Sequence, residues 1–200
     1  MTHFIKIFYF ISFIFYFSYS NFSFANEILD EELIDNLWTV RVETKDKVDT
    51  SKWEVHLSVN GQITHGDRLI IRIQAKDSET CNIGNTYTTF YTITDNKNIL
   101  NLKRKVFPAK FLDQNIYIEM LFAFEFLTGY RAYFDLGWNN LDNIKNFFRN
   151  HEQVNLLLLD SNDINISEYF DINENIFSLK GLNQAIDKAK NECIKIVNRS

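Results

Sequence analysis

The segment that most narrowly limits how this chain can fold is its end. Ile176-Phe177-Ser178-Leu179 suits a short strand, Lys180-Gly181 a break, and the residues after Gly181 a helix. From there Leu182, Ala185, Ile186, Ala189, Cys193, Ile196 and Val197 recur at i, i+3, i+4 spacing, one apolar stripe on a helix of about four turns. Gln184, Asp187, Lys188, Lys190, Asn191 and Lys195 take the opposite face. A helix with a single stripe must lay it on something, and the aromatic, alternating segments upstream are the surface it fits.

Those segments read as strands. Trp38 to Glu43 and Trp53 to Val59 alternate apolar and polar, each with one buried face. Asn60-Gly61 is a turn signal, Leu69 to Gln74 a third strand, and Thr86 to Thr94 a fourth, rich in β-branched and aromatic residues. Leu100 to Val106 is expected as a fifth, ended by Pro108. The strongest pattern is Ile116 to Phe126: Ile116, Ile118, Met120, Phe122, Phe124 and Phe126 fall on one face. Leu127-Thr128-Gly129 then turns the chain into Tyr130 to Leu136, a hairpin with a short loop. Asn140 is placed to cap a helix whose apolar side is Leu141, Ile144, Phe147 and Phe148. Leu156 to Leu159 reads as a strand buried on both sides. Asn26 to Leu37 is an acidic leader segment with Leu29, Leu33 and Leu37 at helical spacing, expected as a short amphipathic helix or as a frayed lead-in to the domain. The expectation is a mainly β protein, an antiparallel β-sandwich with a middle helix and a C-terminal helix packed on it.

The other end addresses the chain. Lys6 precedes an apolar run from Ile7 to Phe17, and small residues at Ser23 and Ala25 follow a more polar stretch. That is the pattern of a secretory signal peptide over residues 1–25, with cleavage between Ala25 and Asn26. The run is shorter than the roughly 20 residues a membrane span needs. Residues 26–37 then lead into a single domain over 38–200. Six glycines and one proline in the whole sequence leave no flexible linker to divide it. The leader's only formal charge is Lys6, so its removal takes the net charge from −5 to −6. Nucleic acid, whose phosphates demand a basic surface, is excluded as a partner on that ground. Export also decides how to read Cys81 and Cys193. Two cysteines in an oxidising compartment allow one intramolecular pairing, a disulfide.

Residues that could carry chemistry are few. His56 sits on the polar side of its strand, His65 in a loop and His151 after the middle helix. None has zinc-ligand spacing. Asp160-Ser161-Asn162-Asp163-Ile164-Asn165 lacks the glycine and the distal acid of a calcium loop and reads as a tight loop. Lys103-Arg104-Lys105, with Lys110, reads as a lysine-guarded sheet edge. Trp38, Trp53 and Trp138 read as core before they read as the lining of a carbohydrate or lipid pocket. No catalytic, cofactor or metal residue is assigned.

Trp38-Thr39-Val40-Arg41-Val42, and Phe177-Ser178-Leu179-Lys180-Gly181-Leu182 with Ala185, resemble the invasion-associated locus B family of secreted, β-rich alphaproteobacterial proteins. The resemblance implies an envelope location and a β-rich fold, and it carries no reaction. That family's first strand usually has a cysteine where this chain has Val42, so its disulfide pattern is not transferred. The functional expectation is a periplasmic or secreted binding or accessory protein of the bacterial envelope. It would be non-enzymatic, with an envelope or extracellular partner and no transmembrane anchor after cleavage. A secreted hydrolase assembled by the fold, and a structural envelope protein with an exposed aromatic patch, remain open beside it.

Overall fold

The computed structural model describes residues 26–199. The expected leader peptide and the Ala25 side of its cleavage site lie outside the described residues. Ten strands form one antiparallel sheet: β1 (Glu27–Ile34), β2 (Trp38–Thr44), β3 (Trp53–Asn60), β4 (Arg68–Gln74), β5 (Ile83–Thr92), β6 (Val106–Phe111), β7 (Gln114–Phe126), β8 (Gly129–Asn140), β9 (Gln153–Leu158) and β10 (Glu174–Ser178). Two α-helices, α1 (Leu141–Phe148) and α2 (Leu182–Val197), complete it. The spatial order is β1-β2-β3-β4-β5-β8-β7-β6-β9-β10. The sheet curls until β10 meets the loop after β3. Phe177 bridges Gly61, and Gln62 N–H donates to Ile176 O at 2.8 Å. The expected antiparallel β architecture, with a middle and a C-terminal helix, is what the chain adopts.

Alternation along β2, β3 and β4 puts Trp38, Val40, Val42, Val55, Leu57, Val59, Leu69, Ile71 and Ile73 on the inner face, all buried. α2 lies across these three strands. Its stripe of Leu182, Ala185, Ile186, Ala189, Cys193 and Ile196 is buried. Burying each large aliphatic there is worth about 1.5–3 kcal/mol. Gly181 starts the helix at φ 81°, a left-handed conformation that a Cβ resists, and a Cβ there would also meet the Asp35 side chain at 2.9 Å. Cys81, in a single helical turn before β5, and Cys193 lie with Cα atoms 5.6 Å apart and sulfurs at bonding distance. This spans 112 positions and fastens α2 to the sheet.

The structure corrects four readings. Glu27–Ile34 is an edge strand, not a helix. Asp35 and Asn36 both have positive φ, 55° and 58°, and Leu37 N–H closes on Ile34 O at 3.0 Å. This is the turn that right-handed strand twist favours, and it folds the acidic segment back onto β2. Lys97–Leu102 is a 3-10 helix, and the strand begins only at Val106. Pro108 stands inside that strand, just before its ladder with β9 starts at Ala109, where no ladder hydrogen bond needs its missing N–H. β9 alternates, with Val154, Leu156 and Leu158 buried between exposed Gln153 and Asn155, so it is covered on one face.

The fourth correction bears on function. β7 carries a bulge between Met120 and Phe122: Met120 opposes Phe134 and Phe122 opposes Tyr133, leaving Leu121 unpaired. One extra residue reverses the face of everything after it. Ile118 and Met120 stay in the core, whereas Phe122 and Phe124 come out to 42% and 37% exposure.

Candidate functional site

The residues singled out from the sequence do not converge. His65 and His151 are exposed, on opposite sides of the sequence from one another, in the β3–β4 loop and after α1. His56 lies on the outer face of β3, Nε2 at 3.2 Å from Glu54 and Nδ1 at 3.7 Å from Glu43. Beside it, a depression of about 200 Å³ is lined by Asn26, Glu43, Lys45, Lys52 and Glu54. Asn26, the first residue after the expected cleavage, donates its side-chain amide to Glu43 at 3.2 Å. The Asp160–Asn165 loop is held by its own bonds, Asp160 accepting from Ile166 N–H at 2.7 Å. Among the described residues no group of three or more His, Cys, Asp and Glu side chains is arranged to hold a metal. Lys103-Arg104-Lys105 is a turn: Arg104 has φ 68°, its N–H bonds Met120 O, and its guanidinium pairs with Glu119 at 2.7 Å. Of the tryptophans, Trp38 is core, Trp53 bonds Asp46 O from its ring N–H, and Trp138 is half-exposed under the Arg72 guanidinium.

What the fold does assemble is a cleft of about 450 Å³ between α1, the β6–β7 hairpin and the end of β8. Its position follows from α1. Asn140 caps the helix by accepting from Asp142 N–H at 2.9 Å, and Leu141, Ile144 and Phe148 anchor it to the sheet. That leaves Phe147, 43% exposed, standing over the opening, where it stacks on Phe111 with centroids 6.2 Å apart and rings 5° from parallel. Ile118, Ile144, Phe111 and Phe148 form the apolar floor. Thr86, Gln114, Tyr117, Asn139 and Asn143 supply the polar atoms. No lining residue is charged. The volume is that of a small-molecule site, and an apolar floor with a few hydroxyls and amides orients a ligand that is itself uncharged. The sequence pattern of α1 showed Phe147 and Phe148 as one apolar side. The amides that face them come from three separate elements, and nothing in their spacing announces that they meet.

A second polar centre locks the end of the barrel-like curl. Asp67 and Asn175 are buried at 1% and 0% exposure. Asp67 accepts from Tyr91 N–H at 2.6 Å and from the Asn175 amide at 3.1 Å. Asn175 in turn accepts from Ile63 and Ile176 N–H and donates to Thr64 O. A Cβ on Gly61 would collide with the Asn175 side chain at 2.3 Å, which is why the residue after β3 is a glycine. Burial pushes the Asp67 carboxyl up to about 7, against the pull of its two donors and of Arg131 nearby. The arrangement is a structural clasp joining β3, β5 and β10.

Comparison with protein-family models, with curated proteins and with solved structures finds no match to this chain.

Proposed function

We propose that this is a periplasmic or secreted binding or accessory protein of the cell envelope that holds an uncharged, amphiphilic small molecule in the cleft under α1 and does no chemistry on it. The observation that carries the reading is the cleft's lining, an aromatic and aliphatic floor with only amides and hydroxyls above it. Export is supported by the leader-like N-terminus and by the Cys81–Cys193 pair at disulfide distance. The resemblance of both ends of the chain to the invasion-associated locus B family points to the same compartment. Native mass spectrometry of the protein from its own envelope fraction tests the reading. A neutral adduct that is lost from Phe147→Ala supports it; a mature chain that begins at Met1, or one that never carries an adduct, counts against it.

The hydrolase reading rests on His56 between Glu43 and Glu54. It requires ester or glycoside hydrolysis that disappears in His56→Gln while the fold is kept.

A further inference from the structure

The outer face of the sheet gathers two features away from the cleft. The first is a run of rings. Phe122 stacks on Tyr133 with centroids 4.7 Å apart, Phe124 lies 6.0 Å from Tyr133, Tyr87 lies 6.0 Å from Tyr133, and Tyr91 meets Phe126 edge-on at 6.2 Å. The second is positive charge without a salt-bridge partner. Arg131 on β8 sits between Tyr91 on β5 and Phe124 on β7, its guanidinium 3.9 Å over the Phe126 ring. Arg68 on β4 is one row away, beside Thr89 and Tyr133. Among the described residues neither guanidinium has a carboxylate within salt-bridge distance or a hydrogen-bond acceptor, whereas Arg41 and Arg72 on the same face pair with Glu31 and Glu54. Of the buried side-chain polar atoms without a partner among the described residues, three belong to this face: Arg72 Nε, Asn85 Oδ1 and Arg131 Nε. Burial first, and then the neighbouring charges of Arg41 and Arg131, hold the Arg68 proton less tightly than usual, against the opposing pull of Tyr133 and Glu31. In a chain of net charge −5 this is a local reversal.

We propose that the outer face of β4, β5, β8 and β7 binds an acidic polysaccharide, its anionic groups on Arg68 and Arg131 and its sugar rings against Tyr91, Tyr133, Phe122 and Phe124. A guanidinium presents a planar fork that matches a carboxylate, phosphate or sulfate, and a sugar ring has one flat C–H face for an aromatic side chain. Other anionic partners fit less well. These four strands are interior to the sheet, with both backbone edges already paired, so an acidic peptide finds no edge to extend. An anionic membrane surface calls for four or more clustered basic residues, and here two arginines stand without a salt bridge, with Glu119 and Asp135 farther along β7 and β8 on the same face. Nucleic acid demands a basic surface that a chain of charge −5 does not offer.

The test is calorimetric titration of the full mature protein with oligogalacturonate, with maltodextrin of equal length as the neutral control, and with poly-glutamate and oligo-thymidylate as the other polyanions. The proposal expects oligogalacturonate alone to bind, more weakly as salt is raised. Arg68→Gln and Arg131→Gln should each weaken it about ten-fold or more, the loss expected for a charge-assisted hydrogen bond. Phe124→Ser should weaken it with both charges intact. Circular dichroism confirms that each variant is folded, and Lys110→Gln, on β6 away from the face, should bind as the parent does. Equal binding of maltodextrin, tighter binding of either other polyanion, no binding of oligogalacturonate, or unchanged affinity in folded Arg68→Gln/Arg131→Gln overturns the proposal.

Discussion

The cleft under α1 and the outer face around Arg131 are built from the same aromatic stock, yet they offer opposite chemistry. The cleft sets Phe111, Phe147 and Phe148 against amides and hydroxyls, with no charged residue in its lining. The outer face sets Phe122, Phe124 and Tyr133 against two unpaired guanidiniums. β7 contributes to both: Ile116 and Ile118 line the cleft, and Phe122 and Phe124 lie beyond the bulge on the other side. A single unpaired residue, Leu121, therefore separates an apolar site from a charged one along one strand. An aromatic-rich composition says nothing about which kind of surface results; the position of a bulge decides it.

The largest effect should come from loosening α2, which is fastened to the inner face of the sheet, opposite the aromatic face. Replacing Cys81 and Cys193 by serine should lower stability by about 2–5 kcal/mol, the usual effect of losing a disulfide that closes a long loop. Alkylation of the unreduced, denatured protein should label neither cysteine; labelling of both would refute the bridge. Ile186→Ala should lose about 2–5 kcal/mol as a buried core truncation, and a loss under about half a kcal/mol would contradict the burial of the α2 stripe.

A pH titration separates the two regions without mutation. Asp67 keeps its proton in the folded protein up to about 7, whereas the unfolded chain releases it near the ordinary carboxylate value. Between about pH 4 and pH 7 the folded state binds more protons, so this group's contribution to stability falls as pH rises and then levels off above 7. At about 1.4 kcal/mol per pKa unit the total is at most about 4 kcal/mol. Hydrogen exchange should accelerate with pH around Ile63, Tyr91 and Ile176 beyond the intrinsic rate, and not in α1. Asp67→Asn should flatten the dependence.

Much of this architecture was legible in the sequence. β2 to β5, the β7–β8 hairpin, the Asn140 cap and the α2 stripe follow from period-2 and period-3.6 patterns with strong turn or cap residues. β1 was misread because Leu29, Leu33 and Leu37 fall at helical spacing, while Asp35-Asn36, in left-handed backbone, turns the chain between the last two. Pro108 reads as a stop, and only the sheet order shows a place where its missing N–H is harmless. The cleft was not legible, since Thr86, Gln114 and Asn139 meet only through the order in which β5, β7 and β8 pair. Nor was the outer face: a bulge leaves no pattern of its own, and Arg68 and Arg131 are ordinary strand arginines until their neighbours are known.

The smallest stability effect carries the most functional weight. Phe147 is 43% exposed, so Phe147→Ala should cost no more than about 1 kcal/mol while removing the wall of the cleft. The most direct measurement is an amide and side-chain NMR titration of the mature protein with a neutral octyl glycoside. We expect saturable shifts confined to Gln114, Ile118, Asn139, Asn143 and Phe148, abolished in Phe147→Ala, with Arg131 and Tyr133 unmoved. Shifts centred on the outer face, or a cleft that stays silent at saturating glycoside, would contradict it.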